Sequence, residues 1–361
     1  MRNLAAAVLL GSVGIAAVVL VTGGRIDLGA LRSINRSYIL ACAGLVALDW
    51  LSEAVRLRLL CRALGEEVSI SSVLRIVFLG VFFARITPFD SGGEPFQVYA
   101  LHRNGVPLGH ATAMIAVKAL LHGLARVSLG ILVPVWLILT AKGWHLSRAA
   151  AIALYAGMAI YIGVFVLVIL MFVYRGAAQR LVLRVFNSGP LARLFGRRRL
   201  DAALARLEDH YRAFVAAVSH FGRERRGTIL AVTLISFVSW SAVLAVPVIL
   251  VRALGGASPL AEVAATAIIF YLAVAYAPTP GSSGAAEIGF ATLFARFVPL
   301  PLVGVLVLLW RLLTHYLSLL LGFMVTAFSM FGRRPKALPP PQEPALAGQP
   351  GSDPAAEQRQ P

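Results

Sequence analysis

Apolar residues in this sequence run in long blocks separated by short basic stretches. Six blocks, at 4–22, 37–55, 111–140, 149–174, 228–252 and 300–330, are each apolar over roughly 18 residues or more, the length a helix needs to cross a bilayer's hydrocarbon. Two further blocks, 70–104 and 260–297, are interrupted at their centres by Pro, Gly and Ser. Irregular backbone at membrane depth is tolerated only where protein or a water-filled cavity satisfies its N–H and C=O groups. The pattern predicts an all-α polytopic membrane protein with about six full transmembrane helices plus two re-entrant or broken segments. A signal peptide is the rival reading of 4–22. No small-residue cleavage pattern surrounds Val21-Thr22-Gly23-Gly24, so an uncleaved first helix is expected.

Composition sharpens this picture. The 361 residues are 59% hydrophobic and 14% charged, against about half and a quarter for soluble domains. The net charge of +17 sits mainly outside the apolar blocks. Positive charge beside membrane helices sets orientation and attracts anionic headgroups, so the expected partners are lipids and not nucleic acid. Loop 175–227 carries twelve Arg against four acidic residues; Arg56, Arg58 and Arg62 follow the second block, and Arg333, Arg334 and Lys336 follow the last. The positive-inside rule puts these segments and both termini in the cytoplasm of a bacterial inner membrane, with 141–148 outside. Segment 70–104 then dips in from the cytoplasm and 260–297 from outside. Arg25, Arg32 and Arg36 fall outside, against the rule. The stretch 200–207 has apolar residues at helical spacing. It reads either as an amphipathic element on anionic inner-leaflet lipids or as an ordinary solvated connector. The membrane unit is expected over 1–332. The Pro/Gln/Ala/Gly-rich residues 333–361 form a tail too poor in apolar residues to order.

The two broken segments match one another. Thr87-Pro88, Ser91-Gly92 and Glu94 in the first recur as Thr279-Pro280, Ser283-Gly284 and Glu287 in the second. Thr279 lies 192 residues after Thr87, and Glu287 lies 193 after Glu94. The helix after each break carries a cation and a His four apart, on one helix face: Lys118 with His122, and Arg311 with His315, again 193 apart. With the topology above, the halves enter the membrane from opposite sides and form an inverted repeat. In transporters of that architecture, paired Gly/Pro-interrupted segments mark a substrate site near the midplane.

The candidate chemistry lies in these segments. A half-helix starting after a break offers free backbone N–H groups to an anion. Ser91, Gly92 and Gly93, and Ser282, Ser283 and Gly284, stand where such donors would converge, with Thr87, Asp90 and Thr279 beside them as further candidate substrate-binding residues. Simple turns between helices are the alternative. Lys118, His122, Arg126, Arg311 and His315 fall within spans, where an Arg or Lys near the centre costs about 2.5–3.5 kcal/mol on insertion scales. Asp90, Glu94 and Glu287 are their natural partners. Lys118 and Arg126 fit structural pairing or snorkelling equally well, whereas Arg311 lies deep in its span. Arg311 is expected to rest on Glu287, with Lys118 and Glu94 as the counterpart. Asp49, Glu53 and Arg56 read as a structural cluster with a Glu53–Arg56 ion pair. Cys42 and Cys61 lack ligand spacing, the histidines form no cluster, and no P-loop, G-x-S-x-G or H-E-x-x-H pattern occurs. Neither a metal, a cofactor nor an enzyme is expected.

The run Ile86-Thr87-Pro88-Phe89-Asp90-Ser91-Gly92-Gly93-Glu94-Pro95-Phe96-Gln97, the run 277–287, and Leu309-Trp310-Arg311 with Tyr316 resemble the lysylphosphatidylglycerol synthase transmembrane (flippase-like) family. The likeness extends to about residue 330. It implies handling or translocation of a lipid, of phospholipid or polyprenyl-phosphate type, by the membrane unit alone. The soluble aminoacyl-transfer domain of two-domain members has no counterpart in this sequence. Many members carry Arg three residues after the first acidic residue, where this chain has Gln97. That departure argues against a lysyl lipid. The rivals are a non-transporting scaffold for a lipid- or glycan-modifying enzyme, working through loop 175–227, and an intramembrane enzyme acting on a lipid-linked sugar.

Overall fold

The computed structural model describes residues 29–88, 90–140, 212–221, 225–274, 277 and 279–331, with residues 152, 155, 159, 162, 163 and 166 between them. Spans 4–22 and most of 149–174, most of loop 175–227 and the tail 333–361 lie outside the described residues. Among the described residues the protein is all α: α1 (Arg36–Ala63), α2 (Ile70–Ile86), α3 (Gly93–Arg103), α4 (Leu108–Thr140), α5 (Arg226–Ala253), α6 (Leu260–Val274), α7 (Ala285–Phe294), α8 (Leu300–Arg311) and α9 (Leu317–Phe331). A π-helical turn, Leu312–Tyr316, joins α8 to α9. Arg36–Ala63, Leu108–Trp136, Arg226–Ala253 and Leu300–Phe328 are each long and apolar enough to cross a membrane. The chain is a multi-pass α-helical membrane protein.

The order of elements repeats. A long helix, a broken pair and a second long helix appear as α1, α2–α3, α4 and again as α5, α6–α7, α8–α9. Local chemistry sets the boundaries. Asn35 accepts the Ser37 N–H at 3.0 Å to start α1, and Ser69 accepts that of Ser72 to start α2. Helix α2 stops at Thr87, whose extended backbone is what a following Pro imposes. Helix α8 opens on Pro299-Leu300-Pro301, prolines that need no N–H donor in a first turn.

Helix α1 packs along α5, α2 against α9, and α4 against α5 and α6. Two cores result. Around the first break, Leu57, Leu60, Val73, Ile76, Leu101 and Met114 pack together. The second core is richer in aromatic rings: Phe290 stacks on Trp310 at 4.3 Å and on Phe294 at 4.1 Å, with Phe270 edge-on to Phe290 at 5.2 Å. Glu287 and Arg311 are one turn from Phe290 and next to Trp310, so this rigid stack fixes where their side chains point. Helix α2 crosses α3 at Gly80. A Cβ placed there would lie 2.3 Å from the Gln97 Nε2, so only glycine leaves room for that amide to turn into the bundle.

Candidate functional site

The two breaks meet. Pro88 and Pro280 form an antiparallel β-bridge, the only one among the described residues, so the loops after α2 and after α6 touch at corresponding positions. Their backbones also correspond. Asp90 (φ 52°) and Ser282 (φ 55°) are the only non-glycine residues with positive φ among the described residues, and they are 192 apart. A side chain in that region is uncommon and costs about 1–3 kcal/mol.

Each loop is tied internally. In the first, the Thr87 hydroxyl donates to the Phe83 carbonyl (2.7 Å) and accepts from the Gly92 N–H (2.8 Å), and the Ser91 N–H donates to the Pro88 carbonyl (3.2 Å). In the second, Thr279 Oγ1 donates to the Ser283 carbonyl (2.8 Å), while the Ser282 and Ser283 N–H groups donate to the Thr279 and Pro280 carbonyls. The Gly284 N–H donates to Glu287 Oε2 at 2.6 Å. The N–H groups of Ser91, Gly92, Ser282, Ser283 and Gly284, expected as free anion donors, are therefore already bonded. A loop taken out of water must satisfy its own backbone first.

The second break is locked from α8. The Arg311 guanidinium holds Glu287 Oε1 through Nε at 2.8 Å, the Gly281 carbonyl through Nη1 at 3.3 Å and the Ser282 carbonyl through Nη2 at 3.4 Å. Glu287 is 0% and Arg311 3% exposed, so this is the expected pair, taken fully out of water. His315, on the π-turn, is buried beside the loop. A Cβ on Gly281 would fall 2.3 Å from its Cε1, and the φ of +58° there also favours glycine. π-Turns inside α-helices occur frequently at functional sites. Ser283 is likewise buried.

The first break is held differently. Arg85 Nη1 donates to Asp90 Oδ2 at 3.2 Å, and both side chains are about a third exposed or more (32% and 40%). Ser91 and Glu94 are exposed, while Gly93 is buried. Lys118 does not pair with Glu94, contrary to expectation. Its ammonium bonds Glu53 on α1 and the Gln97 Oε1, one turn further along α3 than Glu94. Glu53 also accepts from Arg56 at 2.7 Å, the expected ion pair. Arg56 is only 1% exposed and reaches Ser236 Oγ (3.2 Å) and His122 Nδ1 (2.7 Å). A guanidinium only donates, so His122 Nδ1 is the acceptor and its proton resides on Nε2. The His122 ring stacks on Trp240 at 5.2 Å.

Sequence reasoning assigned Arg56 a peripheral role, missed Ser236, Ser239 and Trp240 as interior residues, and missed Arg85 as the partner of Asp90. Ser239 bonds Asp49, and Arg126 bonds the Tyr271 carbonyl and lies over Trp240 at 4.6 Å. The spacing of Asp49, Glu53 and Arg56, four and three apart, was the available signal of a polar helix face. Nothing in the sequence marked the serines on α5.

Two helix breaks that touch, with the buried Glu287–Arg311 pair beside one and the Lys118–Glu53 pair behind the other, define a multi-pass membrane protein with charged groups among its helices. The model of one family, the lysylphosphatidylglycerol synthase transmembrane region, matches residues 4–322, and the chain belongs to that family. It is similar to a UPF0104 membrane protein of Archaeoglobus fulgidus, with 29% identity over 293 residues covering 78% of this chain and 83% of the relative.

Proposed function

We propose that the protein moves a lipid across the bilayer, holding the headgroup phosphate at the seam of the two breaks. One observation carries this reading. The Arg311 guanidinium spans Glu287 and two break carbonyls beside the Pro88–Pro280 bridge, so a charge able to bind phosphate is wired to the backbone that would move. Arg311 meets Glu287 through one nitrogen, and its planar fork suits a phosphate bidentately, which an ammonium does not.

In this reading α2–α3 and α6–α7 are re-entrant pairs related as an inverted repeat. An antiparallel bridge between equivalent residues fits a local two-fold axis. With the span expected from sequence at 149–174 counted beside α1 and α4, an odd number of crossings separates the halves, and this reading takes the axis to lie in the membrane plane. The Arg distribution orients loop 175–227 and both termini toward the cytoplasm, where the loop contacts anionic lipids of the inner membrane. No covalent chemistry is involved.

The test is lipid exchange in liposomes of mixed phospholipid, with trace fluorescent phospholipid or polyprenyl phosphate. The wild-type protein should accelerate exchange. Arg311→Lys should remain folded and inserted yet lose most of that acceleration. A wild-type protein inert across the lipid panel removes the translocation reading and leaves the scaffold. Normal exchange by Arg311→Lys removes the role given to Arg311.

A further inference from the structure

The two halves carry the same charged pairs in sequence but use them differently in space. Lys118 and Arg311 correspond, as do Glu94 and Glu287, each pair separated by 193 residues. Arg311 and Glu287 are joined at 2.8 Å and buried, with a π-turn directly after Arg311. Glu94 is exposed and makes no ion pair among the described residues, Lys118 is bonded to Glu53 and Gln97, and the corresponding residues 119–123 are ordinary α-helix. The loops themselves are alike, left-handed at Asp90 and Ser282 and joined at Pro88–Pro280. One half is thus closed around its break and the other is open.

We propose that the halves exchange these arrangements, and that the Lys118–Glu94 ion pair closes the first break in the second end state. This rests on the translocation reading and supplies its moving part. Gln97 and Glu94 lie three residues apart on α3, so presenting Glu94 to Lys118 requires α3 to slide by about 4.5 Å, three residues at about 1.5 Å each. Slides of about one turn are an established form of switching between packed helices. The π-turn passes to 119–123 while 312–316 becomes α-helical, and the loop 279–284 opens with Glu287 exposed as Glu94 is exposed here. Glu53 is not orphaned when Lys118 leaves, because Arg56 remains on its second oxygen at 2.7 Å. An ammonium, a compact charge on a flexible stem, suits a cation that changes carboxylates.

Cysteine pairs in vesicles test the exchange without relying on transport. In a background with Cys42→Ala and Cys61→Ala, Gln97→Cys with Lys118→Cys should be joined in the present state by a bifunctional thiol reagent about as long as the two side chains it replaces, which meet at their tips. Glu94→Cys with Lys118→Cys should be joined by the same reagent as the protein visits the other state. Cross-linking of the Glu94 pair supports the exchange, and if the wild type is also inert in liposomes, only the translocation reading is overturned. Absence of that cross-link while the Gln97 pair is joined, together with wild-type lipid exchange by Glu94→Gln, overturns the exchange of arrangements. Glu94→Gln leaves Lys118 intact as a second measurement. It should slow lipid exchange roughly five- to tenfold, in the usual range of coupling between states, with its melting temperature unchanged. Exchange at the wild-type rate would overturn the proposal.

Discussion

Residues 87–92 and 279–284 turn the chain in the same way and touch through their prolines, yet the cations beside them find different carboxylates. Arg311 uses Glu287, which belongs to the break itself and caps the next half-helix through the Gly284 N–H. Lys118 uses Glu53, from a long helix, and passes over Glu94. The reason lies in the long helices. Position 53 plus 193 is Val246, fully buried in the apolar core, and α5 carries no acidic residue over its whole length. With no carboxylate on α5, Arg311 must be neutralised from the break. With Glu53 on α1, Lys118 need not be. A repeated motif therefore fixes the loop's shape, while its electrostatic tether depends on the neighbour that each half packs against it.

The comparison makes its strongest prediction for the removal of each cation. Arg311→Ala leaves Glu287 buried without its guanidinium and should destabilise the protein by about 3–5 kcal/mol, with much of this recovered when Glu287→Leu and Arg311→Met are combined. Lys118→Ala leaves Glu53 still bonded to Arg56 and to Gln97 Nε2 (3.2 Å), and should cost only about 1–3 kcal/mol. Thermal unfolding in detergent, followed by tryptophan fluorescence, compares the two. Equal losses would mean that Glu53 is not shared as drawn.

A smaller effect is expected at the α2–α3 crossing. Gly80→Ala pushes a methyl group into the Gln97 amide, a clash that should cost about 1–3 kcal/mol. Adding Gln97→Ala should relieve it in the same assay. A Gly80→Ala protein as stable as wild type would show that Gln97 can leave Lys118 freely. The smallest difference is between the threonines. Thr87 makes links to both Phe83 and Gly92, whereas Thr279 Oγ1 is bonded to the Ser283 carbonyl. At about 0.5–1.5 kcal/mol per bond, Thr87→Val should destabilise roughly twice as much as Thr279→Val.

The sequence by itself determined the membrane class, the four described spans to within about ten residues at their ends, the positions of both breaks and the Glu287–Arg311 pair. Length, apolarity and the Pro/Gly/Ser interruptions are local properties, and Glu287 is the nearest carboxylate on the chain to Arg311. Three things required the tertiary structure. Backbone donors such as the Gly92 N–H were expected to face an anion, but the loop folds back so that the Thr87 hydroxyl accepts from it, a pairing set by the loop's three-dimensional turn. Lys118 was expected on Glu94, yet which carboxylate reaches it depends on how α1 packs beside α4, a contact between residues 65 apart. The π-turn that places His315 against Gly281 likewise left no mark in the residue pattern of 300–330, because it arises from fitting α8–α9 around a break on another helix pair.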